Sequence, residues 1–297
     1  MSETAPFRCG VVAVAGRPNV GKSTLVNTIV GQKVSIVSPA PQTTRNRISG
    51  IASRPGVQVV LLDTPGIHRP SHRLNERMVE AAVASLAHVD LIYVVVEAEW
   101  LGSGDRFVIS LLTREDPPVF LVINKVDLVK KPTILPLLEA ASREFPFAEL
   151  VPVSARTGEN VERLVQATIA RLPEGPPLFP EDEVSDQPER FLVSEIIREK
   201  ICLHTREELP HATAVVIESW SEQEDGLVRI ESVIICEKEN QKGIIIGREG
   251  SLLKKIGTEA RVEIESLLAC RVFLSLWVKV QPGWRESPAI LKRLGLN

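Results

Sequence analysis

The sequence predicts an α/β domain with a mainly parallel sheet, followed by a smaller α+β domain. Three observations carry that prediction. Short apolar runs alternate with amphipathic stretches up to about residue 172, the pattern of strands covered by helices on both faces. Pro173 to Glu189 then holds five prolines, six acidic residues and no basic one, a composition that sustains neither a helix nor a central strand. Beyond it the signals run helix, strand, strand, helix, helix, strand. The expected division is residues 1–172, a linker at 173–190, and 191–297 with a C-terminal tail. A length of 297 residues suits two domains.

In chain order, Cys9 to Ala15, Val57 to Leu62, Leu91 to Val96, Val119 to Ile123 and Leu150 to Val153 are short β-branched or apolar runs, read as strands. Between them lie helical stretches such as Asn75 to Leu86 and Asn160 to Leu172. Arg47 to Ser53, beside the Val57 strand, is expected at an antiparallel edge. On such sheets ligands bind beyond the carboxyl ends of the strands, so the residues just after each run matter most.

Composition excludes several classes. With 44% hydrophobic and 25% charged residues the chain is ordinary globular material, which rules out wholesale disorder. The Leu91 to Val96 run is only strand-length, and nothing approaches the roughly 20 apolar residues a membrane-spanning helix needs. Met1 to Arg8 carries Glu3 and lacks an apolar stretch, so no signal peptide is expected. Cys9, Cys202, Cys236 and Cys270 stand far apart, which predicts neither a zinc site nor a disulfide framework and suits a reduced, cytoplasmic protein. The net charge of −3 gives no global hint of a nucleic-acid partner.

The first strand runs into Gly16-Arg17-Pro18-Asn19-Val20-Gly21-Lys22-Ser23, followed by Thr24. This is a phosphate loop (P-loop) pattern at the strand-to-helix junction its mechanism requires. Its glycines let backbone N–H groups point at phosphate oxygens, and the helix N-terminus adds its positive dipole end. Lys22 is expected to reach the β- and γ-phosphates, and the Ser23 hydroxyl to bind Mg²⁺. Asn124-Lys125-Val126-Asp127 follows the Val119 strand. A carboxylate there accepts two hydrogen bonds from guanine N1–H and N2–H₂, which adenine does not offer in that arrangement. Asp127 is therefore the expected specificity residue, with Asn124 tying the base loop to the phosphate loop and Lys125 covering the base. Ser154-Ala155-Arg156 comes after the next strand, and its Ala155 N–H is expected to donate to guanine O6. Asp63-Thr64-Pro65-Gly66 ends the Val57 strand, where Asp63 would hold Mg²⁺ through water and the Gly66 N–H would touch the γ-phosphate. Gln42-Thr43-Thr44-Arg45, flanked by Pro39 and Pro41, offers a threonine to complete the metal shell, and Thr44 is the expected one. Lys22, Thr44 and Gly66 are the residues expected to act on the transferred phosphoryl group, with slow intrinsic turnover and no nucleophilic triad.

These elements in this order resemble the translation-factor-related GTPases. Pro18-Asn19-Val20 with Gln42-Thr43-Thr44-Arg45 narrows the resemblance to the Era family of bacterial ribosome-assembly GTPases. Ras-like enzymes place a glutamine after the switch glycine, whereas this chain has Ile67 and then His68, as the resemblance implies. His68 reads as a solvated loop residue. Relatives further imply a K⁺ ion held with the help of Asn19.

The resemblance extends through the second domain, whose element order is that of a type II KH domain. Gly247 and Gly250 flank Arg248 and Glu249, with Ile246 and Lys242 before and Lys254 and Lys255 after. Glycines at this spacing are expected about once by chance in a chain of this composition, so the context carries the reading. A KH loop of this kind clamps about four nucleotides, and Ile244 to Ile246 with the following helix would line the groove for the bases. From Glu189 onward 16 basic residues face 17 acidic ones, but residues 242–257 hold four basic residues against Glu249 alone. That local excess suits single-stranded RNA better than duplex. Trp284, in the family-like tail, is expected in the core.

The leading expectation is a GTP-hydrolysing switch whose nucleotide state controls RNA binding. The resemblance implies that the RNA is the 3′ end of small-subunit ribosomal RNA and the partner the small ribosomal subunit, with peripheral contact at the inner face of the cell membrane and a monomeric chain. An RNA-binding protein with a remnant GTPase domain, or an ATP-using enzyme, are the competing readings. Intact Lys22, Ser23, Asp63 and Asp127 weigh against the first.

Overall fold

The computed structural model describes residues 6–40, 42–68, 73–113 and 117–296, so Met1 to Ala5 and Pro41 lie outside the described residues. The chain forms two compact units: Met1–Ser35 with Thr44–Pro70 and Met78–Asp186, and Ile36–Thr43 with Ser71–Arg77 and Gln187–Asn297.

The first unit is built on β1 (Arg8–Ala15), β2 (Ile48–Arg54), β3 (Val57–Asp63), β4 (Leu91–Glu97), β5 (Val119–Asn124) and β6 (Glu149–Pro152), in sheet order β2-β3-β1-β4-β5-β6. All neighbours are parallel except β2, which lies antiparallel to β3 at the edge. Alternate residues of β1 enter two separate cores, which is why the strand reads as continuously apolar. Val12 and Val14 pack with α1 (Lys22–Val30) and α5 (Val161–Ile169) through Leu25, Val26 and Leu164. Ala13 and Ala15 face α2 (Arg73–Ala84), α3 (Ser103–Ser110) and α4 (Ile134–Glu144) through Ala82, Val108 and Leu137. The connections run to opposite sides of β1, so the strand order reverses there and opens a crevice at the carboxyl ends of β1, β3, β4 and β5.

The acidic stretch forms no regular element before α6 (Glu189–His204), yet it is pinned. Isolated bridges join Arg8 to Glu174 and Gly50 to Ser185. The Ser49 hydroxyl donates to Asp186 Oδ2 at 2.7 Å, and Ile51 N–H to Val184 O at 2.9 Å. Gln58, wholly buried, accepts the N–H groups of Leu178 (2.8 Å) and Phe179 (3.0 Å) on Oε1 and donates to Phe179 O (2.9 Å). Prolines withhold donors, and several of the remaining backbone groups find partners on β1, β2 and β3.

In the second unit β7 (Ala214–Glu222), β8 (Leu227–Cys236) and β9 (Arg271–Val280) form one sheet, β7 antiparallel and β9 parallel to β8. One face is covered by α6 and, after the short α7 (Leu209–Ala212) and α8 (Glu239–Ile246), by α9 (Ser251–Leu268), with Ile197, Ile201, Ile230, Ile234, Ile256 and Ile264 in a shared core. Trp284 is fully buried ahead of α10 (Pro288–Arg293) and donates its indole N–H to Ala212 O at 3.0 Å. Within this unit the Val37 N–H donates to Glu199 Oε1 at 2.8 Å, and the buried Arg198 guanidinium donates to Thr43 O.

Replacing Gln58 by Leu keeps the volume and removes the acceptor for two linker amides. Urea denaturation is expected to show a loss of about 1–3 kcal/mol, the cost of stranded hydrogen-bonding groups. An unchanged midpoint would mean that the acidic stretch is held without Gln58.

Candidate functional site

Residues 16–21 curl from the end of β1 into α1, which begins at Lys22 and so leaves its first amides free toward the loop. Gly21 has φ +93, and a Cβ there would lie 2.4 Å from Asn124 Nδ2, so glycine is required by both conformation and space. Arg17, Pro18 and Val20 build the wall of the loop, and the exposed Asn19 has φ 66. Lys22 is buried, its ammonium spanning to Gly16 O (3.2 Å) and Arg17 O (3.1 Å). Burial lowers its pKa to about 8; the Arg17 charge adds to this and Asp63 opposes it.

Three hard oxygen donors converge beside this lysine. Ser23 Oγ lies 2.8 Å from Thr44 Oγ, and the Thr44 hydroxyl lies 3.4 Å from Asp63 Oδ2. Asp63 is fully buried, its pKa raised by desolvation against the pull of Lys22, and its Oδ1 has no hydrogen-bond partner among the described residues. A buried carboxylate oxygen left unmatched next to two hydroxyls is the donor set Mg²⁺ takes with phosphate oxygens. Thr43 is the wrong threonine for this: its hydroxyl turns to Ser38 Oγ and Ala40 O, both at 2.7 Å. Thr24, in the first turn of α1, keeps its carbonyl for the Thr28 hydroxyl at 2.8 Å.

The loop after β3 lies directly over the phosphate loop. The Thr64 hydroxyl donates to Val14 O at 2.8 Å, and the Ile67 N–H to Gly16 O at 3.1 Å. After Pro65, a Cβ on Gly66 would meet Pro18 at 2.7 Å, so only glycine permits this approach. Ile67 is fully buried in the core, which explains why no polar side chain occupies the position after the switch glycine. His68 is half-buried rather than solvated, its Nδ1 2.8 Å from Gly66 O.

At the base end Asn124 is buried and donates Nδ2–H to Val20 O at 2.8 Å, the expected tie between loops. Lys125, at φ 66, directs its ammonium to Asn19 O (2.7 Å) and Glu97. One oxygen of the exposed Asp127 accepts the Ser154 hydroxyl at 2.6 Å, which orients the carboxylate outward. The Ala155 amide donates to Asn124 Oδ1 at 2.9 Å, which joins this third loop to the same carboxamide. Arg156 is exposed beside it.

In the second unit α8 ends at Ile246 and α9 starts at Ser251, with Gly247 (φ 74), Glu249 (φ 53) and Gly250 (φ 77) turning the chain between them. Arg248, Glu249, Lys254 and Lys255 are exposed and Lys242 is half-buried. These four cations make no ion pair among the described residues, whereas Arg198, Lys200, Arg261 and Arg285 are held by carboxylates. The expected lining by Ile244 to Ile246 needs correction. These residues are helical, so successive side chains turn by about 100° and do not share a face. Ile245 is fully buried, Ile244 is exposed, and Ile246 is half-buried at the loop.

Residues 11–125 match the 50S ribosome-binding GTPase family and residues 208–285 the KH domain family. The chain is 52% identical over 292 residues to the GTPase Era of Geobacter metallireducens, covering 98% of each. It is 50% identical to that of Lacticaseibacillus paracasei, covering 97% of this chain and 96% of the relative. The chain belongs to the Era GTPase family. Its structure is similar to that of an Aquifex aeolicus Era variant bound to GDP and AlF₄⁻, with TM-score 0.94 at 41% identity over 98% of this chain and 99% of that one. It is equally similar to Era in complex with MgGDPNP and nucleotides 1506–1542 of 16S ribosomal RNA, with TM-score 0.95 at 42% identity over the same shares.

As an Era-family GTPase the chain hydrolyses GTP to GDP and phosphate. Phosphoryl transfer asks for positioning and charge neutralisation rather than a covalent nucleophile. The buried ammonium, the oriented loop amides and the hydroxyl–carboxylate donor set supply those. Mg²⁺, when bound, would neutralise phosphate charge from the Ser23, Thr44 and Asp63 side.

Two residues of this site escaped sequence reasoning. Glu97 binds both Arg17 and Lys125, and Asp105 accepts from Arg17 Nε at 3.1 Å. Glu97 is the last residue of β4, so the emphasis on strand ends was the available signal. Asp105 carried none, because its partner lies 88 positions away.

Phosphates placed against Lys22 raise its pKa above about 8, so binding takes up a proton where the free lysine is neutral. Nucleotide affinity is therefore expected to hold up to about pH 7.5 and to fall above 8, by at most about tenfold per pH unit. A fluorescent-GDP titration from about pH 7 to 9 checks this, and a flat profile would contradict the assigned proton.

Proposed function

We propose that this chain is a GTP-driven switch whose nucleotide state controls binding of single-stranded RNA at the 3′ end of small-subunit ribosomal RNA, and that it serves assembly of the small ribosomal subunit. The carrying observation is the position of Thr43 and Thr44. The Thr44 hydroxyl sits with Ser23 and Asp63, while the preceding segment, Ile36–Thr43, is compact with the unit that contains the KH domain. A loop that meets a γ-phosphate through such a threonine orders with GTP and is released on hydrolysis, the usual order–disorder device of GTPase loops. The Era relative captured with MgGDPNP and 16S ribosomal RNA supports the same pairing of ligands.

In this reading Gly16 to Thr24 cradle the phosphates, with Lys22, Thr44 and Gly66 at the γ-phosphate and Asp127 reading guanine. Ser23, Thr44 and Asp63 hold Mg²⁺. Arg248, Lys254, Lys255 and Lys242 neutralise RNA phosphates at the Gly247–Gly250 turn, and Ile246 touches a base. The functional division remains a GTPase domain at 1–172, a linker at 173–190 and an RNA-binding domain at 191–297. The chain acts as a monomer in the cytoplasm, with peripheral contact to the cell membrane inherited from the family expectation. Among the described residues no helix is long and apolar enough to cross a membrane.

The test measures binding of a single-stranded RNA with the ribosomal 3′-end sequence in GDPNP and GDP, alongside GTP hydrolysis with Lys22→Ala as control. Tighter RNA binding in GDPNP is expected, and the triple variant Arg248→Ala/Lys254→Ala/Lys255→Ala should reduce the salt slope by about 2, roughly 0.7 per lost phosphate contact. Hydrolysis unaffected by Lys22→Ala, or ribosomal RNA absent from crosslinks in both states, would overturn the reading.

K⁺ beside Asn19 is the remaining cofactor proposal. Wild-type hydrolysis is expected to run faster in K⁺ than in Na⁺, and Asn19→Ala to lose that difference. An unstimulated wild type ends the idea.

A further inference from the structure

We propose that Glu97 is a positioning residue for the nucleotide: a single carboxylate that straps the phosphate loop to the base loop and sets how fast nucleotide departs. The inference rests on the guanine-nucleotide site described above and assigns a role to a residue outside both the phosphate loop and the base loop.

Sheet order places the strap. β4 lies between β1, which feeds the phosphate loop, and β5, which feeds the base loop. Glu97 closes β4, so its side chain emerges between the two loops at the carboxyl edge of the sheet. Its two oxygens are divided between them, Oε2 accepting from Arg17 Nη2 and Oε1 from Lys125 Nζ. The side chains of Arg17, Glu97 and Lys125 are 29%, 23% and 32% exposed, so these pairs are only partly solvated and less screened than surface pairs.

Both cations are fixed from a second side. Arg17 Nε donates to Asp105 Oδ1 at 3.1 Å, and Asp105, 1% exposed, takes the Gly102 N–H on its other oxygen at 2.9 Å. Lys125 Nζ also donates to Asn19 O at 2.7 Å. Asn19 and Lys125 both hold φ 66, a left-handed conformation that non-glycine residues keep only when their surroundings over-determine it. The ammonium that joins them is itself anchored by Glu97. Arg17 and Lys125 draw the Glu97 carboxyl below the usual carboxylate range despite its burial. A charged oxygen on each loop's cation is thus maintained at neutral pH.

A nucleotide held by its phosphates in one loop and its base in the other leaves when the loops part. Asn124 ties them at depth and Glu97 ties them at the rim. Loss of the rim tie speeds departure of GDP and GTP alike. It leaves Lys22, Thr44 and Gly66, and hence the hydrolysis step of bound GTP, untouched.

The full-length chain with Glu97→Gln, Glu97→Asp and Arg17→Gln separates this role from a structural one. Displacement of fluorescent GDP and GTP gives dissociation rates, single-turnover hydrolysis at saturating GTP gives the chemical step, and the thermal midpoint gives folding. Glu97→Gln is expected to raise both dissociation rates by roughly tenfold, as loss of one member of a partly buried charge pair acts on the off-rate. Hydrolysis of bound GTP stays within about twofold of wild type. Glu97→Asp recovers part of the effect, and Glu97→Gln combined with Arg17→Gln dissociates no faster than the larger single effect. Dissociation within about twofold of wild type, or a hydrolysis rate that falls in step with it, overturns the proposal. If Glu97→Gln does not fold, Glu97→Asp, whose shorter carboxylate does not span both loops, reads the same strap, and unchanged dissociation there overturns it as well. A chain that held ATP as well as GTP would overturn the guanine reading alone, since the Glu97 effect is read on whichever nucleotide dissociates.

Discussion

One buried carboxamide organises the nucleotide site. Asn124 sits at the end of a central strand, almost wholly out of water, donating to Val20 O and accepting from Ala155 N–H at 2.8 and 2.9 Å. Three loops from three strands therefore meet on one side chain. None of these bonds is exchangeable for a water molecule without stranding a buried group, so the loops are fixed as a set. Gly21 follows from this constraint, because any larger residue would occupy the space of the Asn124 amide. The spacing between the phosphate loop and the loop that carries Asp127 is in turn constrained by that tie.

The same enclosure leaves the site's own charges electrostatically unsatisfied. Burial depresses the Lys22 ammonium and raises the Asp63 carboxyl, each partly offset by the other. An unmatched Asp63 oxygen and a depressed lysine are two halves of one demand, for a cation and for phosphate. A site preorganised in this way gives up little reorganisation when charge moves during phosphoryl transfer. It also explains how the position after Gly66 is filled by buried Ile67: positioning there is done by packing the loop onto Pro18 and Gly16 rather than by a polar side chain.

Much of this was legible in the sequence because the responsible residues are adjacent in it. The phosphate loop, Asp63 to Gly66 and Asn124 to Asp127 are contiguous strings, each following a strand that hydrophobic runs disclose. The parallel sheet itself was readable from strands apolar on both faces, and β2 from its place beside β3. Contacts across long separations left no trace. Glu97 meets residues 80 and 28 positions away, and Arg17 and Lys125 are unremarkable as single letters. Gln58 is one polar residue inside an apolar run, yet it is the acceptor for a linker more than a hundred residues on. The bond from the Ala155 amide to Asn124 was hidden for a related reason. A backbone amide has no sequence identity, so its partner is decided only by where Asn124 ends up. The isoleucine triplet before Gly247 was read as one surface because composition hides the 100° turn between helical neighbours.

The net charge of −3 is a sum over groups with different duties, and the structure separates them. In the KH-containing unit Arg198, Lys200 and Arg285 are spent on carboxylates, and their charge is unavailable to a partner. Residues 242–257 differ in kind. Their cations form no ion pair among the described residues, three of them are exposed, and all are gathered around a turn whose glycines bring backbone close to the surface. A Cβ on Gly247 would collide with Leu252, so the turn's tight entry into α9 is itself a glycine requirement. An exposed cation without a partner costs little and is worth most when an anion arrives, and free N–H groups at a helix start add to the same field. Recognition of a short phosphate backbone therefore depends on where charge is left uncompensated, and a whole-domain balance of 16 against 17 carries no information about it.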